Sequence, residues 1–138
     1  MFKKHLASIG VLAIFVIFAL GSLGEKSDEN HVVKTTPELT VSAKKIYEDY
    51  ESNEVAADQI YRDKVIIVSG IIDGIGKDIT DTAYISLDAE ASINGVQCMF
   101  SRDQEEKVAI YSKGDFVSLK GKVSGKMMNI LLRGCVFN

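Results

Sequence analysis

Two thiols, Cys98 and Cys135, are the natural starting point for chemistry in this 138-residue sequence. A catalytic thiol needs a base to draw off its proton, most often histidine. The two histidines, His5 and His31, both precede the part of the chain that reads as a folded domain. Two Cys and two His would number the four ligands of a zinc set, but with both histidines ahead of the domain only two thiols remain inside it, fewer than the three or four ligands that zinc takes. The glycines of GIIDGIGK (70–77) do not make a phosphate loop, because Gly76-Lys77 runs into Asp78 and Ile79 instead of a Ser/Thr and a helix. They read as strand bends and a turn. Asp73, Asp78, Asp81 and Asp88 crowd one stretch, but without the ligand spacing of a calcium loop, so a solvated acidic loop is expected. No nucleophile–base pair, metal set or cofactor loop emerges; the expectation is no enzyme and no cofactor.

Charge is the remaining lead. Residues 25–106 carry 8 Lys/Arg against 18 Asp/Glu, net −10. Residues 107–138 carry Lys107, Lys113, Lys120, Lys122, Lys126 and Arg133 against Asp115, net +5. A basic stripe of this kind can follow a nucleic-acid backbone or another polyanion. It can equally be a set of lysines that keep edge strands soluble.

The elements that must position these residues begin with YEDYESNEVAADQIYRDK (47–64). Ile46, Tyr50, Asn53, Ala57 and Ile60 fall at steps of 4, 3, 4 and 3, one face of a helix. Asn53 sits in the middle of that stripe. Spacing favours a continuous helix with the Asn53 amide buried against backbone groups of a neighbouring loop. The alternative is that Asn53 ends a first helix in a left-handed turn and Glu54 starts a second. Either way its role is structural.

From Lys64 the period becomes that of strands. KVIIVSGIIDGIG (64–76) reads as a long strand bent at its glycines. AYISLDA (83–89) and VQCMFS (96–101) alternate. They turn Ile85, Leu87, Val96, Cys98 and Phe100 one way, and Tyr84, Ser86, Asp88, Gln97, Met99 and Ser101 the other. Between them, SINGV carries the Asn94-Gly95 pair of a tight hairpin turn. QEEKVAIYSKGD (104–115) reads as a short helical turn or loop, and FVSLKGKVSG (116–125) and NILLRGCVF (129–137) as the last strands. A bulge at Gly134 would put Ile130, Leu132, Cys135 and Phe137 on the inner face.

One helix and five short, glycine-bent strands are too few for a two-sheet sandwich and fit a mainly β, five-stranded OB barrel. Its third and fifth strands are neighbours, so Cys98 and Cys135 are either a disulfide, expected outside the cytoplasm, or two reduced, buried small side chains. OB nucleic-acid binders stack bases on the outer face of strands two and three. Here that face offers one aromatic, Tyr84, and one carboxylate, Asp88, a poor stacking platform.

Ahead of the domain, Lys3 and Lys4 precede an uncharged apolar run from Leu6 to Leu23. This reads as an export signal or a membrane anchor in residues 1–24, with the rest of the chain outside. Cleavage after Gly21 or Gly24 is weakly signalled, and no cysteine follows the run to carry a lipid. Residues 25–40, polar and holding the only proline, Pro37, read as a linker to a domain over 41–138.

YEDYESNEVAADQIYRDKVIIVSGII resembles the opening signature of the tRNA-anti-like family of OB-fold proteins. VQCMF, YSKGDFVSLKGKVSG and LLRGC continue the likeness, which spans about residues 43–137. The resemblance implies an OB fold, frequently behind a signal or anchor segment, and no established enzymatic activity. Asn53, Tyr61, Gly70, Gly121 and Gly134 are expected to have structural roles. The family name reflects likeness to anticodon-binding domains, a fold-level analogy. The expected protein is a binding module outside the cytoplasm for a protein or peptide of the cell envelope, held to the membrane through residues 6–23 if they are uncleaved. The alternative is binding of single-stranded nucleic acid or a polyanion. Tyr84, Lys113, Lys120, Lys122, Lys126 and Arg133 are the candidate contacts.

Overall fold

The computed structural model describes residues 26–91 and 93–138; the leader at 1–24 and its cleavage lie outside the described residues. Among the described residues no helix is long and apolar enough to cross a membrane. The chain is helical over 26–34 (α1), then forms β1 (Leu39–Ser42), α2 (Ala43–Ser52) and α3 (Glu54–Tyr61). The barrel strands are β2 (Val65–Lys77), β3 (Ala83–Leu87), β4 (Val96–Met99), β5 (Phe116–Lys126) and β6 (Ile130–Phe137). A 3-10 turn (Arg102–Gln104) and a single helical turn, α4 (Glu105–Val108), follow β4.

The five strands close in the order β2-β3-β4-β6-β5 and back to β2, with β4 and β6 parallel and the other barrel pairs antiparallel. This is the order expected of an OB barrel. β2 serves two barrel partners, β5 and β3, because it bends. Its first half, Val65–Ile71, pairs with β5, and its second half pairs with β3 beyond a register shift between Ile72 and Gly74. Gly70 permits a close approach of α2, since a Cβ there would lie 3.1 Å from the Ala43 Cβ. Ile66, Ile72, Ile85, Leu87, Leu119, Ile130 and Leu132 fill the interior. Ile46 and Tyr50 of α2 join the same core.

The break at Asn53 is real: as in the second reading a first helix ends there and Glu54 starts another, but the left-handed turn is absent. Asn53 is exposed and extended (φ −162°, ψ 97°), neither buried nor left-handed. It ends α2 and caps α3, its Oδ1 accepting from Ala56 N at 3.0 Å. Capping satisfies an orphan amide at the helix start, which a continuous helix would not need. The break folds α3 back on α2, so that Tyr50 donates to Asp58 (2.9 Å) and Tyr61 to Asp49 (2.6 Å) across the pair. Their rings stack 6.1 Å apart. Burial and these carboxylates push both phenols above their ordinary range. Ile60, placed on the apolar stripe by spacing, is 45% exposed, and Tyr61 takes the inward place. Asn53→Ala should therefore lower stability by about 1 kcal/mol, and Asn53→Asp by much less. Urea unfolding of the two variants checks this.

Three further differences concern connections. Residues 26–34, within the stretch read as a polar linker, form a helix with Val32 wholly buried. Residues 39–42 add a sixth strand, parallel to β2 at Leu39↔Ile66 through Ser42↔Ser69, beside the edge that β3 does not reach. Asn94-Gly95 does not make a two-residue hairpin, since β3 ends at Leu87 and β4 begins at Val96. The turning is done earlier, by Glu90 (φ 58°), whose amide donates to Asp88 Oδ1 at 2.7 Å. Gly95 is needed for space instead, because a Cβ there would lie 2.2 Å from the Leu87 carbonyl oxygen.

The expected bulge at Gly134 is present. Gly134 has φ 62°, and Lys120↔Val136 is followed by Lys122↔Arg133. Ile130, Leu132 and Cys135 are buried, with Phe137 half-buried against Tyr111 and Phe100.

Candidate binding recess on the barrel face

α1 sets the walls of the site. It crosses β6 at Gly134, where a Cβ would meet the Asp28 backbone carbonyl carbon at 2.6 Å. Glu29 accepts from Ser101 Oγ and from Gln104 Nε2 (3.2 Å), two buried polar side chains. Lys26 pairs with Asp103 at 3.6 Å. At the helix end, Lys120 Nζ donates to the Val33 carbonyl at 3.3 Å, a cation placed where helix carbonyls lack partners.

Between α1, the β2–β3 turn and the outer faces of β4 and β6 lies a recess of about 290 Å³. Met99, Phe100 and Leu131 give it apolar surface, and Gln97, Ser101 and Arg133 polar surface. Asp28 enters from α1, and Asp78, Thr80 and Thr82 from the turn. That turn is rigid by construction: Asp78 Oδ1 accepts from Thr80 N (2.8 Å), Thr80 Oγ1 (2.6 Å) and Thr82 N (3.0 Å). The Thr80 and Thr82 bonds, with the Arg133 charge beyond them, hold the Asp78 carboxyl below its ordinary range. A lowered folded-state pKa means that the turn keeps this support at neutral pH and loses it only as pH falls through that lowered value. The Thr80 and Thr82 amide shifts should therefore titrate with a midpoint below that of an ordinary aspartate, which an NMR pH titration reads directly.

The candidate contacts separate. Lys122 and Arg133 face one another across β5 and β6. Lys120 is held by α1, and Lys126 by Glu51, over the Tyr47 ring at 5.7 Å. Lys113 is exposed in the loop before β5, at the opposite end of that strand from Lys126. Tyr84 is half-buried and lies across Gly76, where a Cβ would be 2.9 Å from its hydroxyl, so it is not among the residues of the recess. Of the six, only Arg133 lines the recess. Ser101, expected outward, is 6% exposed because α1 covers it. Asp28, Thr80, Thr82 and Leu131 were not singled out by sequence. The alternation of β6 marks Leu131 as outward, but nothing local brings α1 to it.

The acidic cluster disperses. Asp81 pairs with Lys77 (3.3 Å) and Arg102 (3.8 Å), and Asp88 caps Glu90. Among the described residues no group of carboxylates, thiols or imidazoles is arranged to hold a metal ion. Cys98 and Cys135 are free, fully buried thiols on the adjacent strands β4 and β6. Burial first, and hydrogen bonding to Cys98 second, push the Cys135 thiol well above its ordinary range, which makes it a poor nucleophile.

The strand order and the recess on the outer face of β4 and β6 define an OB-fold barrel with helices before it. The chain belongs to the tRNA_anti-like family, whose model matches residues 1–136. Among solved structures it is similar to a "putative nucleic acid-binding lipoprotein" from Klebsiella pneumoniae subsp. pneumoniae, at 19% identity and a TM-score of 0.59. That match covers 79% of this chain and 96% of the other. An OBody, AM3L09, bound to hen egg-white lysozyme matches at 15% identity and a TM-score of 0.43, over 56% of this chain and 84% of that one. No curated protein sequence matches the chain.

Proposed function

We propose that this chain is a non-enzymatic binding module that works outside the cytoplasm and takes a protein or peptide of the cell envelope on the outer face of β4 and β6, beside the β2–β3 turn. The observation that carries the reading is the recess. It is concave, part apolar and part polar, and it holds two carboxylates for its one guanidinium. Mixed lining of this kind suits a peptide better than a polyanion. Two of the candidate lysines are engaged elsewhere, Lys120 on the end of α1 and Lys126 on Glu51 of α2, which leaves a shorter phosphate track. The envelope location rests on the Lys3-Lys4 and Leu6–Leu23 pattern, and the neighbour described as a lipoprotein agrees with it. This chain has its cysteines only at 98 and 135, so a lipid on a cysteine behind the apolar run is not its means of attachment.

A second reading, binding of single-stranded nucleic acid or another polyanion, draws on the Lys122–Arg133 pair on the outside of β5 and β6 and on the neighbour's name. Photo-crosslinking in intact cells separates the two. A crosslinker at Met99, on the recess, should give a discrete protein or peptide adduct, whereas one at Ser124, on the outer face of β5, should not. Adducts confined to Ser124, or adducts to nucleic acid, would contradict the first reading.

A further inference from the structure

The proposal here rests on the peptide-binding reading and narrows it. Arg133 lines the recess with Asp28 and Asp78, yet it forms no ion pair among the described residues. Asp78 is fixed by the turn amides, so it cannot swing over to neutralise the guanidinium without breaking them. Gln97, on the same wall, has its amide orientation set from outside. Its Oε1 accepts from Asn129 Nδ2 at 3.0 Å, and its Nε2 is left beside Met99 Sδ at 3.3 Å. A thioether is a weak acceptor, so this amide keeps donor capacity within the recess.

The recess thus holds two sets of donors, the Arg133 guanidinium and the Gln97 amide, with carboxylates at its margin. Arginine binds carboxylate and phosphate alike in a bidentate fork. The carboxylates in the same recess decide between them, because like charges disfavour a dianion more than a monoanion. They also accept N–H groups. We propose that the recess binds the free C-terminal carboxylate of a peptide. Arg133 and Gln97 take the carboxylate, Asp78 takes an N–H beside it, and the terminal side chain rests on Met99 and Leu131.

The test uses the full chain in detergent micelles and two small probes, N-acetylalanine and N-acetylalaninamide, followed by amide shifts in NMR. N-acetylalanine should give saturable shifts at Gln97, Thr80 and Arg133, and the amide probe should bind at least tenfold more weakly. Arg133→Gln should weaken N-acetylalanine at least tenfold. Its fold should be intact because the side chain is exposed. Equal shifts from both probes, no shift at tens of millimolar, or an Arg133→Gln variant that binds as well would overturn the proposal. Inorganic phosphate binding more tightly than N-acetylalanine would overturn it too, and would pass the site to the polyanion reading. A Met99 peptide adduct alongside failure here would leave the peptide-binding reading standing without the terminal carboxylate.

Discussion

Replacing Gly134 by valine is expected to cost roughly 2–4 kcal/mol and to release α1 from the barrel. Two effects combine. Gly134 sits at φ 62°, a conformation that a β-branched residue adopts only with strain. Its missing Cβ is also what lets the α1 backbone approach, since an added Cβ would be 2.6–2.8 Å from Asp28 and Glu29 atoms. Gly114 is the control. It has φ 96° with nothing within 4 Å of its Cβ position, so Gly114→Ala reports backbone strain alone, about 1 kcal/mol. Gly134→Ala should exceed Gly114→Ala in urea unfolding and, unlike it, should speed amide exchange over residues 26–34. Equal costs and unchanged exchange would mean that α1 is not seated on Gly134. Losing α1 would also uncover Ser101 and Gln104 and open the wall of the recess that carries Asp28.

The second large effect is expected between Gly121 and Cys135. A Cβ on Gly121 would lie 2.7 Å from Cys135 Sγ and 3.1 Å from Leu132 Cβ. Both cysteine and leucine are fully buried, in a barrel closed by β5 and β6. Gly121→Ala should therefore cost about 1–3 kcal/mol by overpacking. Removing the sulfur should recover part of that cost. In a double-mutant cycle, Cys135→Ala should be markedly less destabilising in the Gly121→Ala background than alone, with a coupling of about 1 kcal/mol. Additive costs would show that the two positions do not share that space. The cycle also bears on the thiols: it treats Cys135 as a space-filling side chain, the reduced and buried alternative for the pair.

These positions differ in how far the sequence exposes them. The Gly134 bulge can be read directly, because Ile130, Leu132, Cys135 and Phe137 face one way only if one residue is inserted at 134. The barrel strands follow from period-2 alternation in the same way. Asn53 is harder. A helix that continues and two helices that fold back share the same spacing at 46, 50, 53 and 57, and what decides is the Tyr50–Asp58 and Tyr61–Asp49 pairing. Asn94-Gly95 misleads because glycine has two uses; there it relieves a close approach to Leu87 and does not turn the chain. α1 is nearly silent, since Val32 is the only wholly buried apolar residue in 26–34, too little to give a period. The recess is hidden for the same reason. Asp28, Asp78, Met99 and Arg133 come from four elements, and only strand order and the docking of α1 bring them together.

The measurement that bears most directly on the central claim is a fluorescence-anisotropy titration of labelled single-stranded DNA and RNA with the full chain in detergent, at low and at physiological salt. A recess with two carboxylates, and Lys120 and Lys126 engaged by α1 and α2, predicts no saturable binding even at low salt. Micromolar binding that falls steeply with salt, and that is lost when Lys120 and Lys122 are changed to Glu, would contradict the account and make the outer face of β5 and β6 the binding surface.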